Sequence, residues 1–109
     1  MPRYSSIDEV IASYPERFNP DKAKGVDDVV QMNLSGEGGG HYVLHVHDER
    51  VDVSEGTHPD PTLTLNAPAE TWLQVENGQL NPMMALMSGK VKLEGSVPFA
   101  TKFMGMFGG

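Results

Sequence analysis

Apolar and polar residues alternate with a period of two in several parts of the chain, and this alternation predicts β-strands with one buried face. The alternating stretches are residues 29–34, 41–47, 51–53, 62–65 and 90–94. In the first of them, Val30, Met32 and Leu34 share one face. The glycine-rich residues 36–40 predict a hairpin loop between the first two strands, which are therefore expected to be neighbours in a sheet.

A period of three to four residues predicts four helices in the remaining segments. They cover residues 5–18, residues 66–77, residues 83–87 and the segment after residue 96. The predicted N-caps are Ser5 or Ser6, Asn66 and Ser96, because such side chains accept a hydrogen bond from a free backbone N–H of the first turn. In the last helix, five apolar side chains fall on one face, namely Phe99, Ala100, Phe103, Met104 and Phe107.

The elements follow in the order helix, four strands, two helices, strand and helix. This order predicts an α+β fold in which helices pack on one side of an antiparallel sheet. The length of 109 residues is enough for one hydrophobic core, so residues 1–109 are expected to form a single domain. The chain has no Cys, which excludes disulfides, thiolate zinc sites and Cys nucleophiles.

The chain carries 15 acidic and eight basic residues, for a formal net charge of −7. Nucleic-acid binding depends on Lys and Arg contacts with phosphate, so no nucleic-acid partner is expected. No apolar run approaches the roughly 20 residues of a membrane-spanning helix, so no stable membrane insertion is expected. The termini carry no secretory, peroxisomal or lipidation motif, and we therefore expect the chain to be cytoplasmic.

Histidines provide the main candidate for metal chemistry. His45 and His47 project from the same side of the second predicted strand, with His41 farther along that side. Two such histidines can share a zinc ion with a third ligand from His58 or a carboxylate. The polar face of an antiparallel strand often carries residues of this kind, and this interpretation is favoured, so no metal site is predicted. An enzyme that uses His45 or His47 is a third hypothesis, which requires one of them to reach an apolar cavity.

Motifs for nucleophilic or phosphate chemistry are missing from the sequence. The serines fall at predicted caps, turns or strand ends, and none lies in a Gly-x-Ser-x-Gly motif. The glycine-rich residues 36–40 are followed by neither a helix nor a Lys, which phosphate binding would require. We therefore expect no enzyme activity and no cofactor.

Methionine is concentrated near the C-terminus. Five of the seven methionines lie in the last quarter of the chain, at Met83, Met84, Met87, Met104 and Met106. Met is unbranched and polarizable, so it fills gaps in a core and also suits surfaces that bind apolar ligands of variable shape. Over a sheet, such helices either close a solid core or leave an apolar tunnel, and sequence periodicity does not decide between these two outcomes.

The order of these motifs resembles the sterol carrier protein 2 domain family over nearly the whole chain. The strand at residues 29–36 resembles that family, and so does the strand at residues 62–65 with its following helix containing Trp72. The resemblance is sharpest at residues 77–95, which read Asn-Gly-Gln-Leu-Asn-Pro-Met-Met-Ala-Leu-Met-Ser-Gly-Lys-Val-Lys-Leu-Glu-Gly. This run is similar to the family's Gly-Lys-Leu, Pro, Ala and Gly-Lys-Leu-Lys-Ile-x-Gly signature.

The resemblance implies a five-stranded, largely antiparallel sheet with about four helices on one face and an apolar tunnel between sheet and helices. Family members bind fatty acids, acyl-CoA, phospholipids or sterols without covalent chemistry, so the implied function is the binding and carriage of a small apolar lipid. The final helix would act as a lid. The implied tunnel wall consists of Met32, Leu34, Trp72, Val75, Met83, Met84, Leu86, Met87, Phe99, Phe103, Met104 and Phe107.

The main alternative is an interaction module, in which the same apolar groove receives a partner helix or a second copy of the chain to form a homodimer. The short chain is similar to a single-domain bacterial or archaeal member of the family. Gln79 stands where the family usually has Lys, and Met83 where animal members tend to have Gln. The acidic charge should keep the protein off anionic membranes unless the charges segregate, so lipid transfer is expected through solution or by brief collision.

Overall fold

Five strands form one sheet in the computed structural model, which describes residues 3–107. The strands are β1 (Asp28–Ser35), β2 (Gly40–His47), β3 (Arg50–Glu55), β4 (Leu63–Pro68) and β5 (Lys92–Gly95). The helices are α1 (Ile7–Arg17), α2 (Ala69–Glu76), α3 (Pro82–Met87) and α4 (Val97–Met104), with a short 3-10 helix at Pro20–Ala23. The α+β class and the order of elements along the chain are confirmed.

The strand order across the sheet is β3-β2-β1-β4-β5. Three of the four strand pairs are antiparallel, and the pair of the central strand β1 with β4 is parallel, with Met32 opposite Leu65. The sheet is therefore mixed and largely antiparallel. The parallel pair arises because the chain leaves β3 at one edge and crosses to the far side of β1 before it forms β4.

The two faces of the sheet differ in polarity, as the alternation predicts. Val30, Met32 and Leu34 of β1 are buried beneath the helices, together with alternate residues of β2 and β4. Helix α1 packs on β3, α2 on β1 and β4, and α4 on β4. The opposite face carries polar residues, among them Gln31 and His45. One core therefore lies between the sheet and the helical layer.

Several element boundaries differ from the predicted ones. Helix α4 ends at Met104, so Phe107 lies outside it and instead pairs with Phe18 in an isolated antiparallel β-bridge. Asn66 lies within β4 and does not cap α2, because its side-chain oxygen accepts a hydrogen bond from Asn33 Nδ2 across the ladder, at 3.1 Å. Helix α2 begins at Ala69 without a side-chain cap. Strand β5 begins only at Lys92, because the preceding two backbone N–H groups both donate to the carbonyl of Ala85 in α3, at 3.0 and 3.1 Å.

The predicted caps of the first and last helices are confirmed. The Ser6 hydroxyl accepts from the N–H of Glu9 at 3.3 Å, and the Ser96 hydroxyl accepts from the N–H of Phe99 at 3.2 Å. The longest helix has 11 residues, and none of the helices within residues 3–107 has the length and apolar character that crossing a bilayer requires.

Candidate functional site

A largely apolar cavity of about 450 Å³ lies at the β4–β5 end of the sheet, beneath α3 and α4. Strand, helix and loop residues all contribute to its wall. The lining residues are Leu63, Leu65, Trp72, Asn81, Pro82, Met83, Leu86, Val91, Leu93, Val97, Ala100, Thr101, Phe103 and Met104. Asn81 and Thr101 are the polar members of this set, and none of its members carries a charge.

The sheet side of the cavity is built by period-two alternation. Leu63 and Leu65 of β4 point to the helical face, and Leu93 of β5 lies directly opposite Leu65 in the antiparallel register. Val91 precedes β5 and is buried against the same space. Since β5 is the edge strand and only four residues long, the sheet ends here and the helices must cover its apolar side.

The helical side is built by α3 and α4. The Asn81 side chain caps α3 by accepting from the N–H groups of Met83 and Met84, at 2.8 and 3.3 Å, which turns Met83 and Leu86 toward the cavity. In α4, a stripe formed by Val97, Thr101 and Met104 borders the same space. This stripe follows the four- and three-residue spacing of one helix face.

The cavity opens to solvent between α3 and α4. Met83, Val97 and Met104 line the cavity and are also exposed, Met104 by 44% of its surface. By contrast, Trp72 and Phe103 are buried deeper in the wall. The site therefore has an apolar interior and an apolar mouth.

A buried polar group holds Trp72 in the wall. The Trp72 Nε1–H donates to the Tyr14 hydroxyl at 2.9 Å, and this hydroxyl lies 4.0 Å from the sulfur of Met32. Beside them, Arg17 Nη2 donates to Glu76 Oε2 at 2.9 Å. Burial, with the nearby charge of Glu76, raises the pKa of Tyr14 well above its ordinary value, so this hydroxyl stays neutral. The indole therefore has a satisfied N–H and a fixed orientation.

Five of the twelve predicted wall residues line this cavity, namely Trp72, Met83, Leu86, Phe103 and Met104. Four others, Met32, Leu34, Val75 and Phe99, are buried in the solid core. Phe107 is half-buried and packs with ring-centroid distances of 5.1 Å to Tyr14 and 5.0 Å to Phe103. Met84 and Met87 lie outside the lining and are exposed. The contribution of each residue to ligand binding stays a prediction.

The strand residues of the wall were missing from that set. Leu63, Leu65 and Leu93 carried a signal in the sequence, because they belong to the alternating stretches that were predicted as strands. Val97 and Thr101 carried none, since one is exposed and the other is polar. Met106, which its place in the methionine-rich end of the chain also suggests for the wall, does not line the cavity. It is fully buried, and its carbonyl accepts a hydrogen bond from the N–H of Asn19 at 2.7 Å.

None of the four histidines lines the apolar cavity: His41, His45 and His47 lie on the polar face of β2, and His58 lies in the loop between β3 and β4. The rings of His45 and His47 stack with their centroids 4.2 Å apart. His45 Nε2 lies 2.8 Å from Asp27 Oδ1, and His47 contacts both Asp48 and Asp52. The Asp52 hydrogen bond raises the pKa of His47, and the same bond lowers the pKa of Asp52. Neither imidazole lines the apolar cavity, so the condition for the enzyme hypothesis is not met.

Within residues 3–107, no three His, Asp or Glu side chains are arranged to hold a metal ion. A second, more polar cavity of about 310 Å³ does border this region. Its lining residues are Gly25, Val26, Asp27, His47, Asp48 and Glu49. These histidines thus serve as partners of neighbouring carboxylates on the polar face.

Sequence comparison finds one family over nearly the whole chain. The model of the SCP-2 sterol transfer family matches residues 7–108. Hydroxysteroid dehydrogenase-like protein 2 from Rattus norvegicus is 28% identical over 102 residues, and the protein of that name from Homo sapiens is also 28% identical over 102 residues. These matches cover 93% of this chain but 20% and 24% of the respective relatives. The chain thus spans about a fifth to a quarter of the length of these curated relatives.

Solved structures share the fold. Sterol carrier protein 2 like 2 from Aedes aegypti superposes with a TM-score of 0.75 at 24% identity, covering 93% of each chain. The palmitated form of that mosquito protein gives a TM-score of 0.69 at 23% identity, over 89% of this chain and 86% of that one. A sec-alkylsulfatase from Pseudomonas sp. gives 0.81 at 21% identity, but the match covers 95% of this chain and only 16% of the enzyme.

Proposed function

The chain belongs to the SCP-2 sterol transfer family, and from this premise we propose that it binds and carries an apolar lipid in the cavity beneath α3 and α4. Membership of the family supports lipid binding or transfer. The observation that carries the proposal is the cavity of about 450 Å³, whose lining includes no charged residue. That volume falls within the roughly 300–1,000 Å³ of small-molecule sites in proteins.

Removal of apolar surface from water supplies the binding free energy. Each Å² of buried apolar surface contributes about 25 cal/mol, and the wall offers aliphatic, aromatic and thioether groups for this contact. An apolar pocket distinguishes one methylene by only about 1–3 kcal/mol. Because Met83 and Met104 at the mouth are flexible, we expect a range of acyl chains or ring systems to bind.

The polar end of such a lipid would remain at the mouth. Thr101 lines the cavity and is exposed, so its hydroxyl is available to a headgroup there. The interior holds no charged partner, and a buried carboxylate or phosphate without one would be strongly disfavoured. The proposed binding mode therefore places the apolar part inside and the headgroup in water. No step of bond making or breaking is proposed.

A pair of methionine variants tests this site. We expect Met104→Asp to weaken the binding of a fluorescent fatty acid at least tenfold, because it places a carboxylate in the apolar mouth. Met87→Asp is the matched control, since Met87 is 82% exposed and lies outside the lining. Binding is measured by fluorescence titration in vesicle-free buffer, with circular dichroism to confirm that both variants fold. Equal affinities of folded Met104→Asp and Met87→Asp would contradict this site.

A further inference from the structure

The exposed apolar side chains of the protein are concentrated around the cavity mouth. Within residues 3–107, the large apolar residues with high exposure are Met83, Met84, Met87, Val97 and Met104, at 44% to 82%. We call this set the mouth surface. Three of its members line the cavity, and the other two extend the surface along α3. Apolar side chains grouped in this way mark interaction sites in proteins.

Charge is distributed unevenly along the chain. Of the 15 acidic residues, only Glu94 follows position 76, whereas three of the eight basic residues do. Two of these, Lys90 and Lys102, are exposed on the segments that form the mouth, one just after α3 and the other within α4. The third, Lys92, pairs with Asn66 in the sheet register and belongs to the polar face. The segment after position 76, which includes α3 and α4, has three basic residues and one acidic residue and thus a net charge of +2, whereas the residues up to position 76 have a net charge of −9.

Helix α1 is an amphipathic surface helix, and its outer face is unsuited to an anionic surface. Its apolar residues Ile7 and Val10 are buried in the core. Its exposed positions include Asp8, Glu9 and Glu16. An anionic surface would therefore repel α1 and attract the end of the molecule that carries Lys90 and Lys102.

We propose that the mouth surface docks on lipid bilayers that contain anionic lipids. The methionines and Val97 would enter the interfacial region, and Lys90 and Lys102 would lie among the headgroups. The acidic remainder of the protein would point away from the bilayer, which fixes the orientation. The purpose of docking rests on the proposed function: a docked cavity opens directly into the lipid, so an apolar ligand enters without crossing water.

A bilayer fits this surface better than a second copy of the chain. A symmetric dimer through the mouth surface brings Lys90 and Lys102 of both copies to one interface, where like charges oppose association. An anionic bilayer instead supplies the opposite charge together with an apolar layer. Met side chains adapt to a fluid partner because they are unbranched and flexible.

Vesicle flotation with three double variants tests the proposal. The vesicles consist of phosphatidylcholine alone or with about one third phosphatidylglycerol, in low and in physiological salt. One variant, Met84→Ser with Met87→Ser, removes apolar groups that do not line the cavity. The second, Lys90→Glu with Lys102→Glu, reverses the local charge. The matched control, Lys22→Glu with Lys24→Glu, makes the same change in net charge at exposed positions on another segment.

The full chain is expected to bind vesicles with phosphatidylglycerol more tightly than vesicles without it, and more weakly as salt rises. Each lysine near an anionic surface contributes about a fivefold factor in affinity, so Lys90→Glu with Lys102→Glu should weaken binding more than tenfold. The Met84→Ser, Met87→Ser variant should weaken binding at least fivefold. The Lys22→Glu, Lys24→Glu control should lose clearly less vesicle affinity than the Lys90→Glu, Lys102→Glu variant does.

The proposal is overturned if the wild-type chain binds neither vesicle, or if the two lysine double variants weaken binding equally. It is also overturned if light scattering shows a dimer that Met84→Ser with Met87→Ser dissociates. Fluorescent fatty-acid titration in vesicle-free buffer separates this question from the proposed function. If the wild-type chain binds fatty acid but no vesicles, the docking proposal fails and the proposed carrier function stands. If it binds vesicles but no fatty acid, docking stands and the carrier function fails.

Discussion

The methionines near the C-terminus have different surroundings, and the backbone position of each decides which. Both Met83 and Met87 of α3 are exposed, but only Met83, in the first turn, borders the cavity, whereas Met87, the last residue of the helix, lies outside its lining. Met104 lines the mouth, and Met106 is fully buried beyond the end of α4. Composition therefore indicates the region of the binding site, but the backbone geometry decides which thioethers contact a ligand.

His47 provides a pH-dependent prediction at the residue scale. Its hydrogen bond with Asp52 raises the pKa of His47, so the stabilisation from protonated His47 is fully present below the ordinary His pKa. It is lost as pH rises through the raised pKa. The lowered pKa of Asp52 makes its contribution present above the ordinary Asp value and lost as pH falls through the lowered one. The pair thus stabilises the fold most between about pH 4 and pH 6.5.

We expect Asp52→Asn to lower the titration midpoint of His47, as followed by NMR of the imidazole signals. Asp27→Asn is the control, since Asp27 pairs with His45 and not with His47. The control should leave the His47 midpoint within about 0.2 pH units. A His47 midpoint that is the same in wild type and Asp52→Asn would show that Asp52 does not cause the shift.

At the scale of elements, local sequence made the strands and the β1–β2 hairpin predictable, whereas the pairing of strands that are distant along the chain was not. Alternation alone identified the buried face of β1, with Val30, Met32 and Leu34. The parallel pairing of β1 with β4 depends on a crossover between distant segments, which no local pattern specifies. Asn66 suits a helix cap as well as a strand, and its partner Asn33, 33 residues earlier, settles which one forms.

The wall of the cavity was only partly predictable for a related reason. Apolar periodicity marks the face of a helix that packs on the core, as Phe99 and Phe103 do in α4. The cavity borders the flank of that face, where Val97 and Thr101 lie. Whether side chains fill the space between α4 and the sheet depends on how α3, α4 and the β4–β5 edge pack together, and periodicity within one element does not determine this.

The cap of α4 yields a prediction for this element. Ser96→Ala removes the acceptor of the Phe99 N–H and should destabilise the helix end by about 1 kcal/mol. Since α4 contributes Ala100 and Phe103 to the cavity wall, its more frequent opening should release a bound fatty acid faster. Stopped-flow displacement measures the dissociation rate, and hydrogen exchange measures the opening of α4.

The control is Ser6→Ala, the same change at the cap of α1, which contributes no residue to the cavity lining. It should lower the overall stability by a similar amount while leaving hydrogen exchange in α4 at the rate expected from global unfolding. Identical dissociation rates for Ser6→Ala and Ser96→Ala would argue against α4 as the element that covers the ligand.

At the scale of the whole molecule, the sheet has a solid end and an open end. Strands β1, β2 and β3 pack their apolar sides against α1 and α2. The edge pair β4–β5 instead leaves a cavity beneath α3 and α4. Acidic residues predominate in the chain up to position 76, and basic residues predominate in the segment after it, which forms α3 and α4. The solid core and the ligand-binding cavity thus lie at different ends of one sheet. A bound ligand should contact only the open end, but it should raise the free energy of unfolding of the whole domain.

Ligand linkage tests this division. A lipid that binds only the folded state at a hundred times its Kd should add about 2.7 kcal/mol of stability. For 109 residues this raises Tm by roughly 10 °C, as measured by calorimetry. Hydrogen exchange under native conditions should show the largest added protection in β4, β5, α3 and α4. In β2 and β3, amides that exchange by local fraying should change little, because these strands contribute no lining residue.

Met104→Asp at the same lipid concentration should lose most of the Tm shift, because its weaker binding lowers the ratio of ligand to Kd. A shift that is equal in wild type and Met104→Asp would mean that the lipid stabilises the fold from another surface. Protection concentrated in β2 and β3 would assign that surface to the histidine-bearing face. Protection confined to α3, α4 and the β4–β5 edge would instead support binding in the open end of the sheet, where flexible helices cover a wall that the strands hold in place.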